Sequence, residues 1–274
     1  MPIARRIASD IRFGSVLRRI MAQSRLYPAI EFGSLDVVQM TPGGDDFMGD
    51  TLRTDIYTVS NGGGASAADP VITGGALNGI LDMVTGTAGG STASSEICSG
   101  LNYRGDHGCI MVACLTLDII TGVKVEVGFT DVLNDPGAVN VKATPTFTAD
   151  DCALWVLDTN DNDYWEGLAA NNGSTLPMAT VEAAISPVAA TYEWLMVELI
   201  ESDDANNQCA VAFSRFNAAG YRTYHAIGGG ADPQGPNSNV LLTPWIYVEA
   251  RNATSKILSV DYFNAWQFRA NVQA

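Results

Sequence analysis

The sequence predicts an all-β protein, an antiparallel sandwich or barrel. Apolar, strand-length segments recur from Cys109 to Phe268, each cut off by Gly, Asn, Asp or Pro. Within them side chains alternate: Val125, Val127 and Phe129 share one face while Lys124 and Glu126 share the other. No segment repeats at a fixed period, which disfavours a propeller or solenoid.

The elements follow in order. Residues 1–30 form a basic arm in which Ile3, Ile7 and Ile11, then Leu17, Ile20 and Met21, stand at helical spacing, with Gly14 ending or kinking the first helix. Such an arm either docks on a neighbouring subunit, its arginines facing acids, or packs on its own body. A short helix alone is marginal in water. Residues 31–274 form the sandwich domain. Its first part, to residue 108, is broken by Pro42-Gly43-Gly44-Asp45-Asp46, Asn61-Gly62-Gly63-Gly64 and Gly86-Thr87-Ala88-Gly89-Gly90-Ser91. Strands are predicted there at Thr54–Val59, Ala76–Thr85 and Glu96–Tyr103. Asn61–Gly64 lacks the Lys-Ser/Thr pair of a phosphate loop.

Ten further segments read as strands or strand pairs: Cys109–Ile120, Lys124–Asp131, Asp151–Asp158, Tyr164–Ala170, Ala179–Ile185, Tyr192–Glu201, Cys209–Phe216, Tyr221–Ile227, Val240–Arg251 and Ile257–Phe268. Tyr192–Glu201 is apolar on both faces and should be central. In the last segment Val260, Tyr262 and Asn264 are expected on one face, opposite Asp261, Phe263 and Ala265.

The composition suits one large β domain with a real core: 274 residues, 47% hydrophobic and only 16% charged. The net charge of −15 is uneven. Arg5, Arg6, Arg12, Arg18, Arg19 and Arg25 face only Asp10 in the arm, which carries +5 and leaves −20 on the body. An acid-rich body repels nucleic acid and anionic membrane, so only the arm could attract a polyanion or an acidic partner surface. Five cysteines, with no CxxC pair and no histidine at ligand spacing, read as reduced, buried thiols. No apolar run is long enough to span a membrane, and residues 1–30 lack a signal-peptide core.

A resemblance is carried by the strand sequences Val125–Asp131, Ala153–Thr159, Tyr164–Gly173, Tyr192–Leu199, Leu241–Arg251 and Leu258–Phe263. Over roughly residues 50–268 the chain resembles the concanavalin-A-like jelly-roll module of tailed-bacteriophage virion proteins. The resemblance implies two packed antiparallel sheets and a virion structural role. The subunit expected is a capsid decoration or cement protein on the capsid surface, assembled in the host cytoplasm. It would contact the major capsid protein and copies of itself, as a trimer by analogy. Arg5, Arg6, Arg12, Arg18 and Arg19 would be the partner-facing residues. Related modules in tail proteins bind cell-surface glycans, so a glycan-binding tail or adhesin module is the alternative.

No catalytic residues and no cofactor are expected. Glycosidases sharing this fold carry Glu-x-Asp-x-x-Glu on one strand, and Glu193, Glu198 and Glu201 do not match that interval. His107 and His225 have no flagged nucleophile. Asp158, Asn160 and Asn162 match the first half of a Ca²⁺ loop, but its glycine is replaced by Asp163 and its bidentate Glu by Ala169, so a polar hairpin turn is the simpler account. The tryptophans are expected to pack in the core, and Trp165, directly after that turn, is the candidate for exposure and glycan contact.

Overall fold

The computed structural model describes residues 16, 19–20, 23, 38–39, 47, 51–73, 79–89, 93–133, 137–175, 181–183, 186–200, 207–227 and 235–268. Among these, nineteen strands, numbered in chain order, form two large antiparallel sheets and one hairpin.

The eight-stranded sheet runs β17 (Arg222–Ile227), β16 (Ala210–Asn217), β15 (Glu193–Ile200), β7 (Cys109–Leu117), β19 (Ile257–Phe268), β4 (Ile80–Val84), β3 (Val71–Thr73), with β1 (Val38–Gln39) also pairing β19. The nine-stranded sheet runs β13 (Ser174–Thr175), β12 (Asn162–Asn171), β11 (Cys152–Asp158), β8 (Val123–Thr130), β18 (Leu241–Ala250), β5 (Ser94–Cys98), β2 (Thr58–Asn61). Here β14 (Val181–Ala183) pairs β12, and β6 (Tyr103–Arg104) pairs β18. The hairpin is β9 (Val139–Val141) with β10 (Thr146–Phe147). This is the two-sheet jelly roll that the sequence predicts.

The period of two explains why these residues sit where they do. Met111, Ala113 and Leu115 of β7, Leu195 and Val197 of β15, and Val125, Val127 and Phe129 of β8 all meet in the core between the sheets. Gly167 on β12 leaves room there: a Cβ would strike the Phe213 ring at 2.6 Å. Phe213 in turn packs edge-on to Trp155 at 5.2 Å. All five cysteines are buried and unpaired. Burial first, then the charge of Glu96, push the Cys98 thiol up to about 12.

Each sheet also buries its outer face. On the eight-stranded sheet, Ile110, Val112, Trp194, Met196, Phe216 and Tyr262 cluster with Ile20 of the arm. Val16, Arg19 and Ile20 are helical. Apart from these and Gln23, the predicted arm, including Arg5, Arg6, Arg12 and Arg18, lies outside the described residues. Arg19 makes contacts within its own chain. Its guanidinium sits 4.5 Å from the Tyr221 ring centroid and donates to the Ala219 carbonyl at 2.5 Å. Gln23 donates to the Gly220 carbonyl at 3.3 Å. These contacts are made within the chain, because the apolar stripe at Val16 and Ile20 meets an apolar sheet face close by.

Several strands differ from expectation. Residues 54–56 form a turn and β2 begins at Thr58; Glu96–Tyr103 is divided between β5 and β6. In β19 an irregularity between Val260 and Tyr262 shifts the phase. Val260 and Phe263 therefore share the core, and Tyr262 points to the outer face.

Candidate functional site: the covered face of the nine-stranded sheet

Alternation along β8 sends Lys124 and Glu126 to the outer face. Register then places Glu126 between Tyr247 on β18 and Val156 on β11, and Lys124 between Glu249 and Asp158. Glu166 on β12 follows Val156 in the same row. One sheet face thus gathers carboxylates, lysines and the stacked pair Trp245–Tyr247, whose centroids are 5.8 Å apart at 11°. Such a face ordinarily looks into water. Here Glu126 is fully buried, and Lys124, Glu166 and Glu249 are nearly so.

A strap formed by residues 137–149 is the cause. Ala138, Val139, Phe147 and Ala149 lie over Leu154, Val156, Leu168 and Trp245. Gly137 opens the strap with φ +93°, and a Cβ there would meet Glu126 Oε1 at 2.9 Å and the Tyr247 ring at 3.0 Å. The bare backbone can therefore descend onto the carboxylate. Ala138 N donates to Glu126 Oε2 at 2.8 Å and Val139 N to Oε1 at 3.0 Å. Lys124 donates to the Val139 carbonyl, and Thr148 Oγ1 to that of Gly137.

Charges under the strap are matched in chains. Lys124 Nζ lies 2.7 Å from Glu126 Oε1 and 3.9 Å from Glu249 Oε2. Trp245 Nε1 donates to Glu126 Oε2 at 3.2 Å, and Tyr247 Oη to Glu249 Oε2 at 3.1 Å. Arg251 joins Glu249 Oε1 at 2.9 Å to Asp158 Oδ2 at 2.5 Å. Burial raises the Glu249 carboxyl above its usual range, against the pull of Lys124 and Arg251. Burial also opposes the Arg251 charge, but the hydrogen bond to Asp158 and the charge of Glu249 outweigh it and raise that guanidinium. Nearer the sheet edge, Lys142 of the strap lies 3.5 Å from Glu166 and donates to the Tyr164 carbonyl at 2.8 Å. Burial lowers its ammonium, with Glu166 resisting.

Glycoside hydrolysis needs one carboxyl carrying a proton to the leaving oxygen and a second facing the sugar or a water. Glu126 instead spends both oxygens on N–H donors and Lys124, in a volume filled by the strap. The arrangement holds the strap in place over the row.

The predicted site residues fall elsewhere or are already engaged. Asp158 accepts from Asn160 N at 3.1 Å and from Arg251, while the Asn162 amide donates to Glu166 at 2.7 Å and accepts from Lys142. Asp158, Asn160 and Asn162 thus sit in the polar turn that the sequence favours over a Ca²⁺ loop, with Arg251 on Asp158 and Lys142 on Asn162. Among the described residues no group of three His, Cys, Asp or Glu side chains could hold a metal. Trp165, the candidate for exposure, is corrected. It is fully buried, because its position on β12 shares the inner face with Gly167, and its Nε1 donates to Glu193 Oε1 at 2.9 Å. His225 Nδ1 lies 2.8 Å from Ser214 Oγ, but Ser214 is fully buried. Lys142 and Gly137 were missed by sequence reasoning; the short alternation Val139-Asn140-Val141 was the available signal.

At the start of the strap, Asp131 Oδ1 is buried without a hydrogen-bond partner. Burial first, with Asp151 and Asp150 behind it, raises this carboxyl. The folded state then binds the proton more tightly than the unfolded chain, so stability falls as pH rises from the ordinary carboxylate range through the raised value. Asp131→Asn should remove that slope and be the more stable form at neutral pH. Urea denaturation of both proteins across pH checks this; a parent no weaker at neutral pH than in mild acid would contradict it.

No family model matches the chain, and no curated protein matches it in sequence. Solved structures do match in fold. A protein of unknown function from Shewanella oneidensis MR-1 is similar with a TM-score of 0.56 at 12% identity, over 91% of this chain and 95% of that one. The carbohydrate recognition domain of Emp47p gives 0.53 at 9%, over 86% and 99%. An endo-acting O-glycanase of the human gut microbiota, from work on the initiation of mucin breakdown, gives 0.53 at 10%, over 83% and 98%. The two-sheet jelly-roll architecture is thus shared with a carbohydrate recognition domain and an O-glycanase.

Proposed function

We propose that this chain is a non-catalytic carbohydrate-recognition module. The fold, shared with a carbohydrate recognition domain and an O-glycanase, supports the carbohydrate part. The observation that carries the non-catalytic part is the neutralised row under the strap, where Glu126, Glu166 and Glu249 are each paired with a cation of the same chain. Carboxylates so engaged and covered lack the open side that hydrolysis requires. The test is the full chain on a glycan array, with a reducing-end assay on the glycans it retains. Retention without release is expected; release of reducing ends, or retention of no glycan at all, would overturn the reading.

The narrower reading, a capsid decoration or cement subunit touching the major capsid protein and its own copies, draws support from a chain only 16% charged, as suits surface covered in an assembly. Co-sedimentation with capsid particles would restore it ahead of the glycan reading.

A further inference from the structure

Away from the strap, a cavity of about 200 Å³ opens at one end of the sandwich where β15 and β16 begin and end. Its floor includes Glu193 and Arg215, each more than nine-tenths buried, with Arg215 Nε 2.5 Å from Glu193 Oε2. Trp165 Nε1 holds the other carboxylate oxygen, and Arg215 Nη2 reaches the Ser186 carbonyl at 3.5 Å. Val188 and Tyr192 supply apolar wall; Asn217 and Thr223 stand exposed at the rim.

A buried ion pair rarely repays its desolvation by stability alone. Burial still raises the Glu193 carboxyl with Arg215 beside it. Lining a cavity, the pair carries no net charge, and each Glu193 oxygen, though it already accepts from Trp165 or Arg215, keeps a second acceptor direction. Adjacent hydroxyls, each both donor and acceptor, match that arrangement. A ring's C–H surface matches Val188 and Tyr192. At about 30 Å³ per displaced water, the space equals six or seven waters, the scale of one sugar ring rather than a chain.

We propose that this cavity binds one neutral pyranose, the terminal residue of a glycan, with vicinal hydroxyls on Glu193 and Arg215. The inference rests on the carbohydrate reading and adds the site and the ligand size.

Trp165 is a built-in reporter, since its indole N–H bonds the carboxylate that the sugar would touch. The full chain is titrated with methyl glycosides of glucose, galactose, mannose and N-acetylglucosamine, and with acetate, while the indole N–H resonances of its five tryptophans are followed. At least one glycoside should shift Trp165 and leave Trp245 in place. Val188→Arg and Thr223→Arg, both at exposed positions, should weaken that binding about tenfold or more while the thermal midpoint holds. Glycan retention on the array with Trp165 unmoved and both variants unimpaired would overturn this site and leave the carbohydrate reading standing. A shift by acetate alone would overturn the neutral ligand. No retention and no shift would remove both.

Discussion

Lys124→Met should cost about 3–5 kcal/mol of stability, because it leaves the fully buried Glu126 carboxyl without its cation. Methionine fills a similar volume, so the loss would report charge and hydrogen bonding rather than a cavity. The damage should be local in origin: Lys124 also donates to the Val139 carbonyl, so the strap loses its anchor at the same stroke. Urea unfolding gives the magnitude, and limited proteolysis should show new cuts within residues 137–149. A loss under about 1 kcal/mol would mean that Glu126 is kept by its N–H donors alone.

Gly128→Ala should be at least as severe. A Cβ at this position in the middle of β8 would lie 2.2 Å from the Ala153 carbonyl oxygen and 3.0 Å from Leu154 Cα. Both are backbone atoms of the neighbouring strand, so no side-chain rotation relieves the clash. The β8–β11 ladder, in register from Lys124 to Thr130, would have to part at its centre. Overpacking of this kind costs about 3 kcal/mol or more, enough to leave little soluble protein. Gly63→Ala is the control: φ is +68° but nothing lies within 4 Å, so the cost should stay near 1–2 kcal/mol, roughly that of the left-handed conformation. Equal thermal midpoints for the two variants would refute the clash.

The strands after residue 109 were legible because a period of two, punctuated by turn residues, needs no knowledge of partners. Trp194, Met196 and Glu198 do oppose Leu195, Val197 and Leu199, and β15 does lie between two other strands. Phase was harder. Asp261 sits at a register shift that moves Tyr262 out of line with Val260, and alternation alone does not show such a shift. Trp165 misled because proximity to a polar turn suggested exposure, whereas Gly167 two residues on marks the inner face by the room it leaves for Phe213. The burial of Lys124 and Glu126 was invisible for a deeper reason. Alternation assigns a side chain to a face, but what covers that face is a matter of tertiary folding, here by two strands of two and three residues that pair only with each other. The arm's apolar spacing was visible at Ile20, yet its destination was not.

The positions of β18 and β19 bear on how the molecule is made. These last strands in the chain lie inside the sheets: β18 separates β8 from β5, and β19 separates β7 from β4. A nascent polypeptide emerging from the ribosome therefore cannot close either layer until nearly all of residues 241–268 has cleared the exit tunnel. Until then β5, β8, β4 and β7 each wait with an unfilled hydrogen-bonding edge, the kind of surface that recruits stray strands. Closure of the two layers must wait for residues 241–268, and pairings this distant along the chain make slow folding and dependence on holding chaperones the natural outcome.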